Sequence, residues 1–222
     1  MKSCRYKSGF TLVETLVVIA IIVILAAMVV GITSRINNQA KEKLTENTFA
    51  ILDAVLQEFH DYGWSYPLPY TDFDFPLDCN DYSQPALETT LKDALGATTV
   101  EIVGGNHLPE YSGSEAMYFF LSKVPECRTT LDKVDESLIT RKDFSGNEMT
   151  LVINGIDYYP LLRIVDPWRQ RGTTTKIGKT LRYDYYNEKL IPPDPTTRRN
   201  FPVIMSAGPD GIFGNSDDIS SR

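Results

Sequence analysis

The sequence predicts an α+β fold in which one long N-terminal helix, a membrane half followed by an amphipathic half, packs on a small antiparallel sheet. Three observations predict it. No proline interrupts residues 10–62, and after Gly31 the next glycine is Gly63. Apolar residues in this stretch run first without a break and then at steps of three and four, the mark of one helical face. Beyond it lie short β-branched and aromatic segments separated by turn signals, the pattern of short strands.

The N-terminal element comes first. Phe10 to Ile32 holds only three polar side chains, Thr11, Glu14 and Thr15, and Leu16 to Ile32 holds none. These 23 residues, at ~1.5 Å rise, are long enough to cross ~30 Å of hydrocarbon. Lys2, Arg5 and Lys7 precede them with no acid, and a positive flank stays cytoplasmic, so the rest of the chain is expected on the outer side of the membrane. A secretory signal would have a shorter apolar core, ~7–15 residues, and a small-residue cleavage site. Here Thr33-Ser34-Arg35-Ile36 follows instead. A plain anchor leaves Glu14 unexplained, because a carboxylate in hydrocarbon costs about 3 kcal/mol or more and marks a functional position.

The helix is expected to continue past the membrane. Ile36, Ala40, Leu44, Thr48/Phe49, Leu52, Val55/Leu56 and Phe59 form one stripe, and Lys41, Glu42, Lys43, Glu46, Gln57 and Glu58 fill polar positions. Gly63 is a plausible stop. Residues 64–86 carry Pro67, Pro69, Pro76 and Pro85 and cannot be regular helix throughout. Ala86 to Leu95 and Glu115 to Leu121 read as short helices. Leu151 to Ile153, Ile156 to Val165, Thr180 to Tyr185 and Phe201 to Met205 read as strands, with turns at Asn154-Gly155, Pro192-Pro193 and Gly208-Pro209-Asp210-Gly211.

Lys7-Ser8-Gly9-Phe10-Thr11-Leu12-Val13-Glu14 resembles the class III signal of type IV prepilins and type II secretion pseudopilins. The resemblance implies a pilin-like ladle. It implies that a prepilin peptidase cuts the 1–9 leader after Gly9 and methylates the new amine of Phe10. It also implies that Glu14, fifth from Phe10, pairs with the amine of a neighbouring subunit during assembly. The expected organisation is leader 1–9, polymerisation helix 10–32, amphipathic continuation 33–62 and periplasmic domain 63–222. The expected partners are the peptidase, further copies of the chain, minor pseudopilins and an inner-membrane assembly platform.

The tail, Ser206 to Ile219, gathers Asp210, Asp217 and Asp218 with three glycines. A hard cation takes six to eight oxygens from such donors. The spacing is not that of an EF-hand, and a solvated acidic turn fits it equally. The tail is similar to the calcium loop of the major type II secretion pseudopilin, which implies Ca²⁺ held by Asp210, Asp217, Asp218 and Ser206. Asp166-Pro167-Trp168 and Leu181-Arg182-Tyr183 resemble the same family, but Arg169 and Gln170 stand where it has Gly, and an insertion runs through Lys179.

Composition excludes other classes. The 22 basic and 29 acidic residues give a net charge of −7, and loss of the leader leaves 19 basic against 29 acidic, a net of −10. This argues against nucleic acid as a general partner. No G-x-S-x-G, H-E-x-x-H or P-loop occurs, and an enzyme is not expected. His60 and His107 read as surface or capping residues. Cys4 leaves with the leader, so Cys79 and Cys127 are expected either as a disulfide in an oxidising compartment or as two buried thiols. The function expected is a filament subunit of a type II secretion-like system, with a type IV pilin for adhesion or motility as the alternative.

Overall fold

In a computed structural model, the structure describes residues 11–63, 75, 76, 79, 86–168, 180–184 and 201–221, with the backbone alone at 29–35. The first element is α1, Leu12–Gly63. The chain divides into two units at Lys41/Glu42, inside this helix.

In the first unit the side chains from Leu12 to Met28 are exposed, several by more than half of their surface. The helix meets its own backbone hydrogen bonds, so among the described residues of this unit its apolar surface alone lacks a partner. Among the described residues no helix is long and apolar enough to cross a membrane. The described side chains of the apolar run end at Met28, and the sequence continues it with Val29-Val30-Gly31-Ile32.

The second unit holds the core. Thr45, Thr48, Phe49, Leu52, Val55, Leu56 and Phe59 of α1 are buried. The expected stripe is therefore covered only from about Leu44 onward; Ile36 is exposed. Around this face stand α2 (Ala86–Leu95), α3 (Ser112–Lys123) and α4 (Pro125–Leu131). α2 has the expected bounds. α4 was not expected; it starts at a proline, which suits a first helical position because its missing N–H has no partner there in any case. Thr130 of α4 donates to Glu58 Oε1 at 2.9 Å, fastening α4 to α1.

Among the described residues, three small antiparallel sheets stand where a single sheet was expected. In the first, β1 (Val100–Val103), β3 (Thr150–Ile153) and β4 (Asp157–Pro160) lie in the order β1-β3-β4. β2 (Ile139–Thr140) pairs with β5 (Arg163–Ile164). β6 (Arg182–Asp184), β7 (Val203–Ser206) and β8 (Ile219–Ser220) form the third. The run 156–165, expected as one strand, splits into β4 and β5. The Asn154-Gly155 turn is where it was expected. Both residues have positive φ, 52° and 70°, which a type I′ turn requires, and Asn154 Oδ1 accepts the amides of Thr98 at 2.7 Å and Thr99 at 3.3 Å.

Strands this short supply few ladder bonds, and buried acidic side chains take over the loop donors. Asp143 accepts the amides of Asn106, Ser145 and Asn147, each at 2.8 Å. Glu115, fully buried on α3, meets Arg163 Nη1 at 3.3 Å and His107 Nε2 at 2.7 Å. The Arg163 guanidinium lies 3.7 Å from the Tyr111 ring centre. His107 is thus a partner of a buried ion pair rather than the expected surface or capping residue.

Burial of Asp143 acts to raise its pKa, but the donors of Asn106, Asn147 and Ser145 outweigh it and hold the carboxyl below its usual range. A depressed folded pKa gives stability that is present above the unfolded value and lost as pH falls through the folded one. Urea unfolding from neutral to acid pH should show stability falling through the carboxylate range. Asp143→Asn should be less stable at neutral pH and should flatten that acid limb; an unchanged limb contradicts this role.

Candidate functional site

Gly9 and Phe10, the expected cleavage and methylation residues, lie outside the described residues. Glu14 lies within them, and its surroundings show how the helix begins. Thr11 N–H donates to Glu14 Oε2 at 2.7 Å and Thr11 Oγ1 donates to the same oxygen at 2.9 Å. Glu14 N–H returns a bond to Thr11 Oγ1 at 3.3 Å. This is a reciprocal capping box, which satisfies backbone donors that a helix start leaves open. Sequence reasoning singled out Glu14 but not Thr11; the T-x-x-E spacing is the signal that finds it. Glu14 is the only charged side chain between Thr11 and Met28. Its Oε1 accepts no hydrogen bond among the described residues, so one oxygen is held by its own chain and the other is open to a cationic partner.

The acidic tail forms a closed loop between β7 and β8, whose pairing sets Ser206 opposite Ile219. Gly208 has φ +61°, and a Cβ there would sit 2.1 Å from the Asp217 carbonyl oxygen. The two limbs of the loop touch at this point, and only glycine fits. Asp210 Oδ1 accepts Ile212 N–H at 2.7 Å and its Oδ2 accepts the Asn215 amide at 2.8 Å. Asp217 Oδ2 accepts Asp210 N–H at 3.2 Å, and Asp218 Oδ2 accepts Gly214 N–H at 2.6 Å.

The expected ligands are only partly brought together. Among the described residues no three His, Cys, Asp or Glu side chains converge as a metal group. Ser206 is not turned to the loop interior. Its hydroxyl donates to buried Asp166 at 2.6 Å and accepts Gly208 N–H at 3.1 Å, which makes it part of the loop's base. The three carboxylates suit a hard cation in kind. Asp218 Oδ1 is buried without a hydrogen-bond partner, an orphaned acceptor of the sort a cation would satisfy. Asp166 was noted in the sequence only as part of the D-P-W resemblance; the structure ties it to the loop.

Cys79 and Cys127 are both buried and are not joined to each other, the arrangement of the second of the two expected alternatives. Cys127 Sγ donates to the Val55 carbonyl at 3.6 Å. Burial, with Glu58 and Glu126 nearby, pushes its thiol up to about 12. A thiol so protonated is a poor nucleophile for exchange. Cys127 should therefore resist a thiol reagent in the folded protein at neutral pH and react fully in denaturant; rapid labelling of the folded form contradicts this.

Comparison with known proteins adds one match. Residues 4–30 fit the family model described as the prokaryotic N-terminal methylation motif. No similar curated protein and no similar solved structure was found. The matched segment contains the leader end, Gly9-Phe10, the Thr11–Glu14 box and most of the apolar run. It supports a chain of the type IV pilin and pseudopilin class, carrying a prepilin-type N-terminus for processing and filament assembly.

Proposed function

We propose that this chain is a structural filament subunit of a type II secretion-like system. It is held in the inner membrane by residues 10–32, with its domain on the periplasmic side, and polymerises through that helix after processing. One observation carries the reading: the methylation motif sits on an apolar helix without a partner in its own unit, and the run holds a single acid with one oxygen open. An apolar helix with a free carboxylate is unfavourable alone in hydrocarbon. It becomes favourable among copies of itself, where the Phe10 amine of a neighbour can neutralise Glu14 while apolar surfaces pack. The departures at Arg169 and Gln170 favour keeping a type IV pilin for adhesion or motility as the second reading.

We also propose that the 206–219 loop takes Ca²⁺ through Asp210, Asp217 and Asp218. The support is the donor set and the orphaned Asp218 Oδ1. An ion would relieve repulsion among three carboxylates in one turn and lock the loop.

Mass spectrometry of protein extracted from membranes should find residues 10–222 with one added methyl group. An intact Met1 terminus beside an active peptidase contradicts the reading. Loss of filaments on deleting a secretion secretin, but not on deleting pilus machinery, supports the secretion form; the opposite pattern supports the pilin form. The extracted protein should melt higher in millimolar Ca²⁺ than in chelator, by ~2.7 kcal/mol of added stability at a hundredfold excess over Kd. Asp218→Asn should erase that difference, and equal melting of the parent in both conditions removes the calcium proposal.

A further inference from the structure

We propose that the open edge of β4 is an interface to a second copy of this chain, the two β4 strands pairing antiparallel about a two-fold axis at Tyr158. The proposal concerns the second unit alone and does not rest on the filament or calcium readings. The two edges of the first sheet differ. On β1 the Ile102 N–H is taken by Glu88 Oε1 of α2 at 3.1 Å, so that edge is closed by a helix.

On β4 the direction of the backbone groups follows from the ladder. Leu161 N–H donates to the Met149 carbonyl at 3.2 Å, and the register continues with Leu151 opposite Tyr159 and Val152 opposite Tyr158. Hydrogen-bonded pairs alternate along an antiparallel ladder. Tyr159 therefore bonds to β3, whereas Tyr158 turns its N–H and C=O outward. Pro160 faces the same way and has no N–H to present, which is where a strand tolerates proline. Among the described residues nothing bonds to the outward groups of Tyr158. The side chains are open as well: Ile156 is 75% and Tyr158 67% exposed, more than any other large apolar residue described in the second unit. Unpaired edge groups flanked by apolar side chains are a template for another strand.

Charge selects a second copy as the occupant. In a two-fold pair every contact is made twice. With Tyr158 opposite its own counterpart, Asp157 of one strand stands opposite Tyr159 of the other, on the face that carries Lys123. Lys123 Nζ lies 3.4 Å from the centre of the Tyr159 ring and 4.6 Å from that of Phe119. It is partly buried and makes no ion pair among the described residues. Burial, with Arg128 nearby, holds it below the usual lysine range, although Asp157 of its own chain acts the other way. The pair thus brings an exposed carboxylate to a partly buried ammonium on each side of the axis. It also sets Ile156 of one copy beside Pro160 of the other.

The test uses the purified full chain in detergent, carrying Cys4→Ser so that the native cysteines left, Cys79 and Cys127, are the buried ones. Opposed residues in a hydrogen-bonded antiparallel pair have Cα atoms ~5.5 Å apart, within disulfide reach. On mild oxidation Tyr158→Cys should form a covalent dimer, about fivefold or more above Val103→Cys, whose position is 52% exposed on the other edge strand. Adding Asp157→Lys should cut the Tyr158→Cys yield about fivefold, because it sets like charges together. Adding Lys123→Glu to that chain should restore the yield, which a general loss of stability would not do. Equal yields from Tyr158→Cys and Val103→Cys overturn the proposal, as does a yield that Asp157→Lys leaves unchanged or that Lys123→Glu fails to restore. In whole cells, a Tyr158→Cys product whose mass is not twice that of the chain puts a different protein on this edge and overturns it too.

Discussion

A single helix with two different obligations is the constraint on which everything else rests. From Leu12 to Met28 it presents apolar side chains that no described residue of its own unit covers. From Leu44 to Phe59 it supplies one face of the domain core. A helix can do both because its backbone is satisfied internally in any solvent. What it cannot satisfy by itself is a carboxylate on the apolar part. Thr11 meets one oxygen of Glu14 and fixes the side chain at the helix start. The other oxygen accepts nothing among the described residues, and under the proposed function it is the acceptor that a neighbouring subunit meets.

The domain meets a different shortage. Its strands are two to four residues long, too short to bind loops through ladders. Acceptors from side chains replace the missing bonds. Asp143 joins the 104–106 and 143–147 loops, Asn154 joins the hairpin to residues 98–99, and Asp166 joins the D-P-W turn to the tail. The buried Glu115–Arg163 pair with His107 ties α3, β5 and the preceding loop. Removing one member of such a pair leaves a buried charge and costs about 3–5 kcal/mol. These contacts specify how short pieces sit around the α1 stripe.

What could be read from the sequence follows from the range of each interaction. The long helix, α2 and the Asn154-Gly155 turn are set by neighbours within a few residues, and each was legible. α4, Pro125–Leu131, was missed because seven residues are too few to show a helical stripe, although a proline suits the first helical position. β1 was missed although Thr98-Thr99-Val100-Glu101-Ile102-Val103 is rich in β-branched residues; β2 and β8 are two residues each and carry little pattern of their own. The split of 156–165 depends on two different partner strands, which no local signal reveals. Glu14 was legible through motif and hydropathy together, whereas Thr11 needed the capping geometry. The acids of the tail were visible, but the redirection of Ser206 to Asp166 depends on a residue forty positions earlier.

The central claim is that the open oxygen of Glu14 is answered by a neighbouring subunit. The most direct measurement compares the parent with Glu14→Gln, which keeps the shape and removes the charge, in cells with an active peptidase. Sheared filaments are quantified against membrane-bound processed subunit. The account predicts that Glu14→Gln is cut after Gly9 and accumulates in the membrane, with filaments reduced at least tenfold. Filaments formed at the parental level, with the same subunit stagger, would contradict it.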